Sequence, residues 1–115
     1  MISVIYKISP RALWQEAEEK GAFEGAPIDH VDGFIHFSTS EQAIETAEKH
    51  FHGQNDLLLI AVDPTKLGAA LKFEPSRGGA LFPHLYAPLS LEAVIWVKEL
   101  PLNADGLHEF PEMAS

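Results

Sequence analysis

The chain has no cysteine, which excludes disulfides, thiolate catalysis, iron–sulfur clusters and cysteine-ligated zinc. It is also short of positive charge, with 8 Lys and Arg against 17 Asp and Glu and a formal charge of −9. Such a field repels polyanions and anionic lipid surfaces, so no DNA, RNA or membrane partner is expected. A small anionic ligand stays compatible, because nearby cationic groups and helix N-termini outweigh a distant field at short range. No apolar run approaches the roughly 20 residues needed to cross a bilayer, and Met1 to Lys7 lacks a basic segment followed by a long apolar stretch. The expectation is a soluble, cytoplasmic protein. Glycine spacing is missing too: Gly78-Gly79 matches neither a dinucleotide-binding fingerprint nor a P-loop.

What is present suffices for one core. With 115 residues and 46% hydrophobic content, the chain fits a single domain over residues 1–100. An acidic, proline-containing tail, 101–115, is expected to be peripheral or partly disordered. Ile2 to Ile8 alternates as a strand, with Val4, Tyr6 and Ile8 on one side and Ile5 and Lys7 on the other. Ser9-Pro10 reads as an N-cap followed by proline at the first helical position, and Gly21 stops that helix. Residues 22–32 carry Gly25, Pro27, Asp29 and Asp32 without a sustained period and read as a surface loop bordering the site.

Phe34 to Ser38 reads as the next strand. The spacings Ser38 to Glu41 and Thr39 to Gln42 both match a capping box for a helix ending near Phe51, with Ala43, Ile44, Ala47 and Phe51 as its apolar face. Leu57 to Val62 is a continuous apolar run of strand length, suited to a central strand buried on both faces. Leu71 to Glu74 and Ala93 to Leu100 supply later strands. This order of elements predicts an α+β domain rather than a regular alternation around a parallel sheet.

Chemistry concentrates in two segments. Extended backbone from Phe34 to Ser38 puts Phe34, His36 and Ser38 on one face and leaves Ile35 and Phe37 for the core. The following helix would aim unpaired backbone N–H groups toward the same end of the strand. His36 beside Ser38 sets a base next to a hydroxyl, but side chains two residues apart on a strand run parallel, which favours binding over nucleophilic attack. The plainer alternative is a histidine satisfied by a backbone carbonyl and a serine that caps a helix.

The second segment, Phe82-Pro83-His84-Leu85-Tyr86-Ala87-Pro88, brings an imidazole and a phenol to one side of a proline-braced stretch. Tyr86 is suited to stacking on a flat ring and His84 to moving a proton, although both rings can equally close the core with their polar tips in water. Arg77, beside Gly78 and Gly79, can approach a phosphate or carboxylate without obstruction. His50 and His52 lack the spacing that sets two imidazoles on one helix face, and Asp29, His30 and Asp32 read as turn formers. No metal is expected.

Ile5-Tyr6-Lys7-Ile8, Trp14, the block Asp32 to Thr39, Asp56 to Pro64 and Phe82 to Tyr86 together resemble the bacterial family called domain of unknown function 952. More distantly, Tyr6-Lys7 and His36-Phe37-Ser38 resemble the first- and second-strand motifs of the ADP-ribosyltransferase-like fold, particularly RNA 2′-phosphotransferases. That resemblance implies two small, mainly antiparallel sheets flanking a cleft for NAD or an ADP-ribose group, with Lys7, His36, Ser38 and Tyr86 near it. Lys7 stands where a histidine or arginine is usual. No late-strand catalytic glutamate is identifiable; Glu74 and Glu92 are the nearest candidates.

The resulting expectation is a single α+β domain with two helices in its N-terminal half. Its cleft would bind a nucleotide-like or small anionic ligand, with NAD as ligand or substrate, and any activity would be group transfer or hydrolysis. His36 and His84 are the catalytic candidates; Lys7, Ser38, Thr39, Arg77 and Tyr86 are the binding candidates. The competing expectation is a non-catalytic interaction module on a transferase-like scaffold.

Overall fold

In the computed structural model, which describes residues 2–114 apart from the Arg77 side chain, the chain runs through eleven regular elements. They are β1 (Ile5–Pro10), α1 (Arg11–Lys20), β2 (Ala22–Phe23), α2 (Pro27–Asp32), β3 (Ile35–His36) and α3 (Ser40–His50), then β4 (Leu57–Val62), β5 (Leu71–Pro75), β6 (Leu81–Leu85), β7 (Leu89–Ser90) and β8 (Val94–Leu100). Short 3₁₀ turns punctuate the second half. The strands form sheets of order β1-β4-β8, β3-β6-β5 and β2-β7, with every pairing antiparallel. The result is one α+β domain with three helices. Among the described residues, no helix is long and apolar enough to cross a membrane.

β4 occupies the middle of its sheet and is buried at every position. Its alternation divides the core: Leu58, Ile60 and Val62 join Ile5, Trp14, Ile35, Phe37 and Leu85 on one side. Leu57, Leu59 and Ala61 join Val4, Tyr6 and Ile8 on the other. The period-two reading of the first strand is therefore correct, although the strand begins at Ile5 and runs on through Pro10. Leu59 and Ile60 are both fully buried, and truncating either to alanine would cost about 2–5 kcal/mol through lost burial and the cavity left behind.

Three local expectations are corrected. Pro10 is the last strand residue and the helix N-cap, not the first helical residue; its extended ψ of 141° belongs to β1. Residues 22–32 are not a continuous loop, since they hold β2 and α2. At six residues α2 is too short to show an apolar period, and it is stabilised by Pro27 at its start and a left-handed Gly33 at its end. Of the two capping spacings open for α3, Thr39 to Gln42 is the one used, with the Thr39 N–H donating to Gln42 Oε1 at 3.0 Å, but its apolar face differs from the expectation. The buried face of α3 is Ala43 and Ala47, whereas Ile44 is 49% exposed.

One reciprocal pair of hydrogen bonds joins the two larger sheets. Tyr6 N–H donates to Ser38 O at 2.7 Å and Ser38 N–H donates to Tyr6 O at 2.8 Å. The segment after β3 thus crosses from the β3-β6-β5 sheet to the edge strand β1, and a cleft opens at the crossing. Beyond β8, Phe110 and Met113 pack on the second core cluster, and Tyr6 OH donates to Ala114 O at 2.7 Å.

Candidate functional site

The cleft encloses about 490 Å³, a volume in the range of small-molecule sites. β1 contributes Lys7, the crossing segment contributes Ser38, β3 and β6 contribute His36 and His84, and α2 contributes Asp32. Strand pairing sets the imidazoles side by side, because His36 is the register partner of His84. Their ring centroids lie 5.7 Å apart at an interplanar angle of 69°. Phe34 stacks on His84 with centroids 4.0 Å apart and also touches the His36 and Tyr86 rings. The predicted alternation holds in part: Ile35 and Phe37 enter the core and His36 and Ser38 line the cleft, but Phe37 also reaches the cleft wall, and Phe34 packs on the His36 and His84 rings without lining it.

Asp29 is the hub of the site. Its carboxylate is buried and accepts from Lys7 Nζ at 3.2 and 2.9 Å, from the Ala26 N–H at 2.8 Å and from the His36 N–H at 3.1 Å. The His36 ring joins them, with Nδ1 at 2.6 Å from Oδ1. Burial alone would push this carboxyl up. The His36 ring, the Lys7 charge and the Ala26 N–H overcome that and hold it well below the usual carboxylate range. Burial likewise lowers Lys7 from its ordinary 10.5, an effect that Asp29 opposes. Lys7 is therefore already paired inside the protein.

Glu74 organises the other imidazole. Its Oε1 lies 2.8 Å from His84 Nδ1 and accepts from Tyr86 OH at 2.7 Å. The Tyr86 and His84 hydrogen bonds lower the Glu74 carboxyl, and the same carboxylate raises the Tyr86 phenol. An ionised carboxylate only accepts, so His84 Nδ1 donates, leaving Nε2 as the ring nitrogen able to take a proton in the cleft.

The structure brings Lys7, His36, Ser38 and His84 to the cleft. Ser38 Oγ lies 2.9 Å from Thr46 Oγ1 on α3, so the hydroxyl has a local partner. Thr39 stands outside the lining as the helix cap, and Tyr86 stands behind His84, half exposed. The Arg77 side chain lies outside the described residues. Glu92 is remote from this group, at a 3₁₀ turn where its N–H meets Ser90 Oγ. Asp29 and Asp32 are not merely turn formers: both hold His36. The one advance signal for Asp29 was its place two residues after Pro27, as the third residue of a proline-started helix. Among the described residues, no group of three or more potential ligand side chains could hold a metal ion.

The family model described as Protein of unknown function (DUF952) matches residues 8–97, and the chain belongs to that family. It is similar to protein CC0527 from Caulobacter crescentus. Against the crystal structure of that protein, identity is 52% over 93% of this chain and 94% of the other, with a TM-score of 0.89. Against its solution NMR structure, identity is 54% over 90% of each chain, with a TM-score of 0.82. No curated protein matches.

Proposed function

We propose that this member of the DUF952 family binds a small nucleotide-like ligand in the cleft between β1 and the β3-β6-β5 sheet, and that its chemistry is group transfer or hydrolysis. The observation that carries the reading is the convergence of two imidazoles, each held through Nδ1 by its own carboxylate, on one pocket of about 490 Å³. Carboxylate-held imidazoles are oriented for proton transfer, and a cleft of this size accepts a mononucleotide-sized molecule. Two small antiparallel sheets flanking the cleft agree with an ADP-ribosyltransferase-like arrangement, which supports NAD or ADP-ribose as the ligand to try first.

In this reading Ser38 and the adjoining backbone orient the ligand and His36 or His84 moves the proton. Lys7 contributes chiefly by holding Asp29. The test is an amide NMR titration with NAD, ADP-ribose and nicotinamide, each at millimolar concentration. Saturable shifts at Lys7, His36 to Thr39 and His84 are expected. Absence of shifts with all three would refute this ligand class and favour the non-catalytic interaction module.

A further inference from the structure

The two imidazoles are not equivalent. His36 has a carboxylate at each ring nitrogen: Asp29 Oδ1 lies 2.6 Å from Nδ1 and Asp32 Oδ2 lies 2.9 Å from Nε2. Ionised carboxylates only accept, so both of these contacts are hydrogen bonds when each ring nitrogen carries a hydrogen, and the pair of carboxylates favours that doubly donating form. His84 has one carboxylate, Glu74, at Nδ1, and among the described residues no hydrogen bond engages its Nε2. A ring suited to donating and a ring suited to accepting a proton therefore lie edge-on, with centroids 5.7 Å apart.

We infer that the cleft hydrolyses a small phosphodiester, with His84 as the base and His36 as the acid. The inference rests on the cleft being a ligand site and narrows its chemistry to displacement at phosphorus. A water oxygen bonds to phosphorus while its proton passes to His84 Nε2. The bond from phosphorus to the leaving oxygen breaks with its electron pair. That oxygen takes the proton from His36 Nε2, which exchanges Asp32 for the substrate. The products are a phosphomonoester and an alcohol, and solvent carries the proton from His84 back to His36.

Displacement at a sugar carbon is less well served, since it calls for a carboxylate beside that carbon. Asp29 is committed to Lys7, His36 and Ala26, and Glu74 Oε1 is shared by His84 and Tyr86. The formal charge of −9 disfavours a polyanion, which points to one phosphodiester in a small molecule rather than a nucleic acid strand. Glu74 is then a positioning residue, because it keeps the proton on Nδ1 and leaves Nε2 bare.

Two measurements on the full chain test this. A long-range ¹H–¹⁵N spectrum of the histidine side chains should show His84 protonated at Nδ1 alone and His36 protonated at both nitrogens. Hydrolysis of bis(para-nitrophenyl) phosphate, with excess chelator present, should be measurable for the unmodified protein and fall about 100-fold or more in His36→Gln and His84→Gln. Glu74→Gln should lower kcat with KM little changed and shift the His84 proton distribution. A His84 protonated at Nε2, or no hydrolysis above the protein-free rate, would overturn the inference. If hydrolysis is absent but ADP-ribose still gives saturable shifts, the ligand site stands and only the phosphodiester chemistry fails. Loss of both results removes both readings.

Discussion

Lys7 and Asp29 form a two-point ion pair under the cleft, with Nζ 3.2 and 2.9 Å from the two carboxylate oxygens and residue exposures of only 5% and 2%. They come from β1 and α2, so the pair ties the short helix to the edge of the β1-β4-β8 sheet. The same carboxylate fixes the His36 ring.

Asp29→Ala should therefore destabilise the protein by about 3–5 kcal/mol, because it leaves a buried ammonium without its counter-charge. Replacing both partners, Lys7→Met with Asp29→Leu, should cost clearly less than Asp29→Ala alone. Urea unfolding of the three variants checks this. A double variant at least as unstable as the single one would contradict the account.

Stability should fall in acid through the same residue. Unfolded, Asp29 takes up a proton near its ordinary 3.8, whereas folded it resists protonation to lower pH. Its contribution is complete above that value and is lost as pH falls toward the folded pKa. The stability gap between the unmodified protein and Asp29→Asn should shrink as the medium is taken below 3.8. A gap that stays constant would show that Asp29 is not the linked group. Lys7 acts in the alkaline range: the unfolded chain keeps its proton to near 10.5 and the folded chain releases it earlier, so this group adds stability as pH rises through that window.

Glu74→Gln should let the Tyr86 phenol titrate closer to its ordinary 10.0, because the carboxylate that raises it is gone. Tyr6, raised by burial and donating to Ala114 O rather than to Glu74, should not move. Ultraviolet titration of the two tyrosines resolves the difference. Tyr86→Phe removes one half-exposed hydrogen bond and should leave the urea midpoint nearly unchanged.

Trimming the chain after Glu109 would uncover the second core cluster, where Phe110 and Met113 pack near Tyr6 and Trp96. The expected loss is about 2–4 kcal/mol, on the scale of two partly buried apolar side chains. A red shift of the tryptophan emission should accompany it. An unchanged melting curve and spectrum would mean that the packing contributes nothing to stability.

The parts legible in advance were those carried by short-range pattern. Alternation in β1 put Val4, Tyr6 and Ile8 in one core cluster and Ile5 in the other, the six-residue apolar run announced β4, and the alternation from Phe34 to Ser38 set His36 and Ser38 on the cleft while Ile35 and Phe37 joined the core. The Thr39 to Gln42 spacing capped α3, although Ser38 to Glu41 had the same spacing and did not. Position two residues apart on a strand cannot reveal which carboxylate will reach a histidine. Asp29 and Glu74 lie 7 and 10 residues from the imidazoles they hold, at separations that only the return of α2 and the β5–β6 pairing close.

By itself, then, the order of residues determined β1, β3, β4, β5 and β8, two of the helices, the division of the core by β4 and the face on which His36 and Ser38 stand, because period and capping act over a few residues. Tertiary structure decided that Lys7 would be neutralised by Asp29 and that Glu74 would fix His84, with Asp32 placed against His36. Those choices depend on burial and on pairings between distant segments, which set the energy of a charge far more than its neighbours in sequence do.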